Sequence, residues 1–163
     1  MERRFAAGLT LGALAWSVIL LIAPYGLTNG NPRLVAAAAA VYSGAGLICH
    51  QRAERSFHLA GVQQPVCARC AGLYMSGAAG VLAAWMAPRR SRAPRRTRTV
   101  LVLAAIPTAL SVTIEFAGLA HPSNLVRAAC AVPLGAAAAW VFVRSLRAEA
   151  AAASPGGGHA RSR

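Results

Sequence analysis

The chain has no lysine and no aspartate, and only four of its 163 residues are acidic. Charged residues make up 13% and hydrophobic residues 56%, with a mean hydropathy of +0.49. So little charge excludes an ordinary soluble domain, because one core of this size cannot hide that much apolar surface. Aromatic residues are scarce too, at 6%, and no basic stripe is interleaved with them. The net charge of +13 is therefore not read as a nucleic-acid footprint. All the basic residues are arginines, and they gather at the ends of apolar segments, as the positive-inside rule requires. Arginine without lysine, in an alanine-rich chain, fits a GC-rich genome. No A-x-A cleavage site directly follows Pro24, which favours an uncleaved anchor over a removable signal peptide. No internal repeat is present.

Apolar stretches run over Phe5–Ala23, Leu34–Ile48, Ala71–Ala87, Val100–Leu119 and Leu125–Val143. A full crossing needs about 20 residues. The first, fourth and fifth stretches fit that length and the third is a little short. Leu34–Ile48 gives only about 22 Å of helix. The expected fold class is an all-α polytopic membrane bundle, with four spans at about 5–24, 71–87, 99–119 and 124–144. Residues 34–48 supply a partial or re-entrant helix, and 1–149 form one membrane domain. The tail 150–163 is Ala, Gly, Ser, Pro and Arg with few other types, and it reads as disordered.

Arg89, Arg90, Arg92, Arg95, Arg96 and Arg98 crowd one short loop, which is expected to be cytoplasmic. Arg3 and Arg4 place the N-terminus on the same side, and Arg144 and Arg147 the C-terminus. Five crossings would conflict with this, whereas four agree. The cysteine-bearing loop 49–70 then falls on the extracytoplasmic face, as does the short loop His121-Pro122-Ser123-Asn124. The expected location is a multi-pass protein of the cell membrane, with the lipid bilayer as its surroundings.

Three of the four cysteines lie in Cys49-His50-Gln51 … Cys67-Ala68-Arg69-Cys70. Cys67 and Cys70 form a CxxC at the start of a helix. With Cys49 and a histidine they make a four-ligand set suited to tetrahedral zinc or another soft or borderline metal. His50 is the nearest fourth ligand, and His58 is the alternative. The same thiols also suit a redox-active pair or a structural disulfide. Glu54 and His58, at i and i+4, suggest a short helix over Gln51–Leu59, ended by Gly61.

Glu115 and Arg127 both lie within apolar segments, where a lone charge is costly. They stand six residues either side of His121. A hairpin turning there brings them to one depth as an ion pair, and Glu115, His121, Asn124 and Arg127 line a polar intramembrane pocket. Ser123 or Asn124 is expected to cap the last span. Asn124 shares a helix face with Arg127 and can orient it. Gly72, Gly77 and Gly80 suggest close helix packing. Cys130 is read as a packing residue.

The run Cys49-His50-Gln51 with Arg55-Ser56-Phe57, followed by Pro65-Val66-Cys67-Ala68-Arg69-Cys70 with Gly72 and Tyr74, resembles domain-of-unknown-function family 2085. This is a family of small bacterial and archaeal membrane proteins. The resemblance extends through Pro122, Ser123, Asn124 and Arg127, over about Ile48–Gly135. It departs at Ala129-Cys130, where the family pattern leads one to expect a Thr-Gly-like pair. The resemblance implies a multi-span membrane protein and names no reaction.

Three functional readings follow. One is a membrane protein with an extracytoplasmic zinc-binding loop over a polar pocket. Another is a membrane thiol-disulfide oxidoreductase using the CxxC. The third is a small transporter, or an accessory subunit, acting as a homo-oligomer or within a larger membrane complex. Whether the protein is an enzyme is left open by the sequence.

Overall fold

The computed structural model describes residues 2–87 and 97–152. Helix α1 (Glu2–Thr28) leads into α2 (Pro32–Gly46), a 3-10 turn at Ala53–Arg55, strands β1 (Ser56–Leu59) and β2 (Val62–Cys67), then α3 (Ala68–Met86), α4 (Thr97–Phe116) and α5 (Asn124–Ala152). Among the described residues, three helical segments are long and apolar enough to cross a membrane: Arg4–Thr28, Thr97–Phe116 and Asn124–Glu149. Within them only 22%, 11% and 22% of the most apolar window is buried inside the protein. Their apolar side chains face outward instead, as with Leu11 and Ile22 on α1 and Val102 and Leu103 on α4. Lipid is the solvent that such faces suit.

Helix α3 falls outside that group of three, because Arg69 and three glycines dilute its apolar content. It is nonetheless packed through the length of the bundle. Gly72 lies against the backbone of Ala128, and Gly80 against that of Ala136, so α3 and α5 run parallel. Antiparallel to them, α1 is pinned by Ser17 Oγ donating to Tyr74 O (3.1 Å) and Trp85 Nε1 donating to Thr10 Oγ1 (2.9 Å). The ends of α1 and α4 therefore meet the starts of α3 and α5 at one end of the bundle.

Helix α2 begins at Pro32, with Asn31 Oδ1 accepting from Arg33 N at 3.0 Å. This pairs an N-cap with proline at the first helical position. It doubles back along α1, where Gly26 meets Ala38, and ends beside Leu20 with Ala45 in a shared apolar cluster. Its 15 residues are fewer than the about 20 of a full crossing.

The chain is not purely helical. The stretch expected to be a helix over Gln51–Leu59 forms the 3-10 turn and one arm of a β-hairpin. Ala60 and Gly61 both take positive φ (51° and 77°), the geometry of a type I′ turn that reverses two strands in two residues. Ser56 pairs with Cys67 and His58 with Gln63, so Phe57 faces a bulge at Gln64–Val66. Pro65 sits in that bulge, where its missing N–H is not needed. Helix α5 runs to Ala152, so the expected disordered tail is helical in its first residues. Ala153–Arg163, and Arg89, Arg90, Arg92, Arg95 and Arg96 of the arginine loop, lie outside the described residues.

Candidate functional site

The hairpin closes over the end of the bundle and is latched there by Gln51. Gln51 holds a positive φ of 47°, unusual for a residue with a side chain. Its Nε2 donates to Tyr42 O (2.7 Å) on α2 and to Pro65 O (2.8 Å) on β2. Its own carbonyl accepts from Gln63 Nε2, and the Tyr42 hydroxyl donates to Gln63 O. These bonds fix the bend that turns Cys49 inward. Cys49 is buried against Leu20, Val66 and Ala71.

Cys67 ends β2 and caps α3, and Cys70 follows one turn on. The sulfurs of Cys49, Cys67 and Cys70 all lie within 4.8 Å of one another, and all three cysteines are free. Three sulfurs of one tetrahedral zinc are about 3.8 Å apart, given Zn–S bonds of about 2.3 Å. The group is thus within a small contraction of a metal-binding geometry. Cys67 N donates to Cys49 Sγ at 3.1 Å. Cys67 provides no side-chain cap to α3, so the first-turn N–H groups of the helix point toward the cysteine end. The Cys70 thiol, hydrogen-bonding to Cys67, holds it down at about 5, well below the ordinary thiol range. His50 and His58 are exposed and stand outside the three-sulfur group.

A second cluster occupies the other side of the same α3 turn. Glu115, near the end of α4, is buried, accepts hydrogen bonds from Arg127 and Arg69, and forms an ion pair with Arg55. Arg127 Nη2 reaches Oε1 at 2.8 Å, Arg69 Nη2 reaches Oε2 at 2.9 Å, and Arg55 Nη2 reaches Oε1 at 3.2 Å. Asn124 Oδ1 accepts from Arg127 Nη1 (2.9 Å), while its Nδ2 donates to Ser56 O on the hairpin (2.9 Å). Asn124 is therefore the link between α5 and the hairpin. The capping role falls to Ser123, whose Oγ accepts from Val126 N and whose carbonyl accepts from Arg127 N. His121 is exposed and outside the cluster. Cys130 is half-buried, with its carbonyl accepting from Thr108 Oγ1.

Arg55 and Arg69 are not among the pocket residues that the sequence pattern points to. The available signal was arithmetic: four acids cannot serve seventeen arginines, so any buried carboxylate attracts more than one. A cavity of about 360 Å³ lies elsewhere, between α1, α3 and α5. It is lined by small and apolar residues, with Trp16 and Tyr74 edge-to-face at 6.3 Å on its wall.

The residues that build both clusters are those of a described family. Residues 49–141, more than half of the chain, match the family described as "Predicted membrane protein (DUF2085)". An uncharacterized protein of Methanothermobacter thermautotrophicus is 32% identical over 88 residues, covering 54% of this chain and 78% of that protein. An uncharacterized protein of Methanocaldococcus jannaschii is 35% identical over 88 residues, and the chain spans about half of its length, at 54%. Both relatives are archaeal, and neither speaks for the bacterial side of the resemblance. No solved structure matches. The chain belongs to the DUF2085 family of predicted membrane proteins.

Proposed function

We propose that the protein is an integral membrane protein that binds one zinc ion, or a metal of similar softness, through Cys49, Cys67 and Cys70. The observation that carries this is the convergence of three free sulfurs within 4.8 Å, from the bend after α2 and from the β2–α3 junction. Three protein ligands leave a fourth position for a water, for a substrate group, or for His50 or His58 after a side-chain rotation. An open position is the pattern of metal sites that do chemistry. Protein purified in mild detergent with its thiols reduced should carry about one metal ion per chain. Cys49→Ser should lower that at least fivefold, while Cys130→Ser should leave it unchanged. Equal metal content in wild type and Cys49→Ser would rule the site out.

The low-pKa Cys67 beside Cys70 favours a second reading, a thiol-disulfide exchanger. Cys70→Ser should then trap a mixed disulfide between Cys67 and a partner protein. Sensitivity to a membrane-permeant chelator, with no trapped partner, favours the metal.

Four crossings, with the cysteine end extracytoplasmic, are the topology we propose. Helix α3 runs parallel to α5 and against it, so a crossing by α5 carries α3 to the same depth. The end opposite the cysteines bears Arg98, Arg144 and Arg147 and leads into the arginine loop. Alkaline phosphatase fused after Gln63 should be active, and the same enzyme fused after Arg92 inactive. Activity after Arg92 would invert the arrangement.

A further inference from the structure

Glu115 is outnumbered. Three guanidiniums surround one carboxylate at 2.8–3.2 Å, which leaves two positive charges uncancelled. The chain has three other acids. Glu54 is two-thirds exposed and lies 3.9 Å from Arg52. Glu2 begins α1, and Glu149 is near the end of α5, both at the opposite end of the bundle. Among the described residues, no other carboxylate reaches the cluster. Arg69 Nε is buried and has no acceptor among the described residues. Excess charge and an unmet donor in one place call for an anionic acceptor from outside.

We infer that Arg55, Arg69 and Arg127 form a binding site for a phosphate-class oxyanion. Guanidinium forks match the oxygens of such an anion, and Arg is the side chain suited to holding it with limited hydration. Arg55 is the mouth of the site, at 34% side-chain exposure against 19% for Arg69 and 9% for Arg127. Asn124 and Ser111 hold the two deeper arginines in place. Phe116, Leu119 and Leu125 are strongly exposed at this end, which brings the mouth within reach of lipid. A free phosphate and a phospholipid headgroup therefore share the chemistry the site reads. The site stands independently of whether the cysteines hold a metal.

The test is a titration of the purified protein in dodecyl maltoside, free of phosphate buffer, with thermal unfolding as the readout. One arm adds inorganic phosphate, and the other adds phosphatidylglycerol in mixed micelles. Arg55→Gln, at a partly exposed side chain outside the packed core, should raise the half-saturating concentration about tenfold, the value of one charge-assisted contact to the anion. Arg55→Lys keeps the charge, loses the fork, and should fall between Gln and wild type. Arg52→Gln, outside the cluster, should match wild type. A response to phosphate identifies a soluble oxyanion, and a response to phosphatidylglycerol alone identifies the lipid headgroup. No response in either arm, or equal weakening by Arg55→Gln and Arg52→Gln, overturns the site.

Discussion

Glu115→Ala should cost about 3–5 kcal/mol of stability, as expected when one partner of a buried ion pair is removed. The Glu115 side chain is 4% exposed, and Arg127 beside it is 9% exposed. With the carboxylate gone, Arg127 and Arg69 face each other with no counter-charge between them. Neither can withdraw to water without unpacking α5 or α3. Arg55→Ala should cost far less, under about 1 kcal/mol, because its head is partly solvated and screened. Glu115→Ala/Arg127→Leu should recover part of the loss, since it removes the orphaned charge along with its partner. The measurement is the unfolding midpoint in mixed SDS micelles. Glu115→Ala costing no more than Arg55→Ala would mean that the cluster is solvated rather than buried. Added phosphate should partly rescue Glu115→Ala if an oxyanion can occupy the space beside the arginines.

The long apolar stretches were readable because a membrane span leaves a coarse, additive signature. Leu34–Ile48 was readable as a short helix from its apolar run, and α2 covers almost the same residues. The pairing of Glu115 with Arg127 was readable because equal spacing from a hairpin turn means equal depth. The other two arginines arrive through tertiary structure. Arg55 comes from a hairpin that folds over the bundle end, and Arg69 from a helix parallel to α5. No local spacing encodes either contact.

The hairpin is hidden in the sequence for a physical reason. Glu54 and His58 mimic an i,i+4 helical pair, and a four-residue strand is too short for its alternation to outweigh that. The alternation is present: Ser56 is buried, Phe57 half-buried and His58 exposed. The turn was hidden because Ala60 takes a positive φ that its residue type does not advertise. Gln51 is the same case, a left-handed residue held by side-chain bonds to α2 and β2. The run from Cys49 to Cys70 thus reads as one device. Its cysteines form the sulfur group, its glutamines latch the loop, and its arginines reach across to Glu115.

Both clusters depend on where α3 starts, so the largest packing effect should come from its glycines. A Cβ at Gly72 would lie inside the van der Waals boundary of the Ala128 carbonyl, and one at Gly80 would meet Ala136 in the same way. The obstacle is backbone, which cannot rotate aside as a side chain can. Gly72→Val and Gly80→Val should each destabilise by about 1–3 kcal/mol. The two positions are about 12 Å apart along the helix, so the double variant should lose roughly the sum. Helix α3 carries Arg69 and Cys70, while Glu115 and Cys49 stand on other elements. Pushing α3 off α5 therefore loosens both clusters at once, and metal content should fall with stability in Gly72→Val. Gly12→Val, on α1 with nothing within 4 Å of its would-be Cβ, is the control for adding bulk to a lipid-facing helix. It should leave the unfolding midpoint and the metal content unchanged. Equal tolerance of Gly72→Val and Gly12→Val would mean that α3 and α5 do not pack backbone to backbone, and the shared footing of the two clusters would be lost.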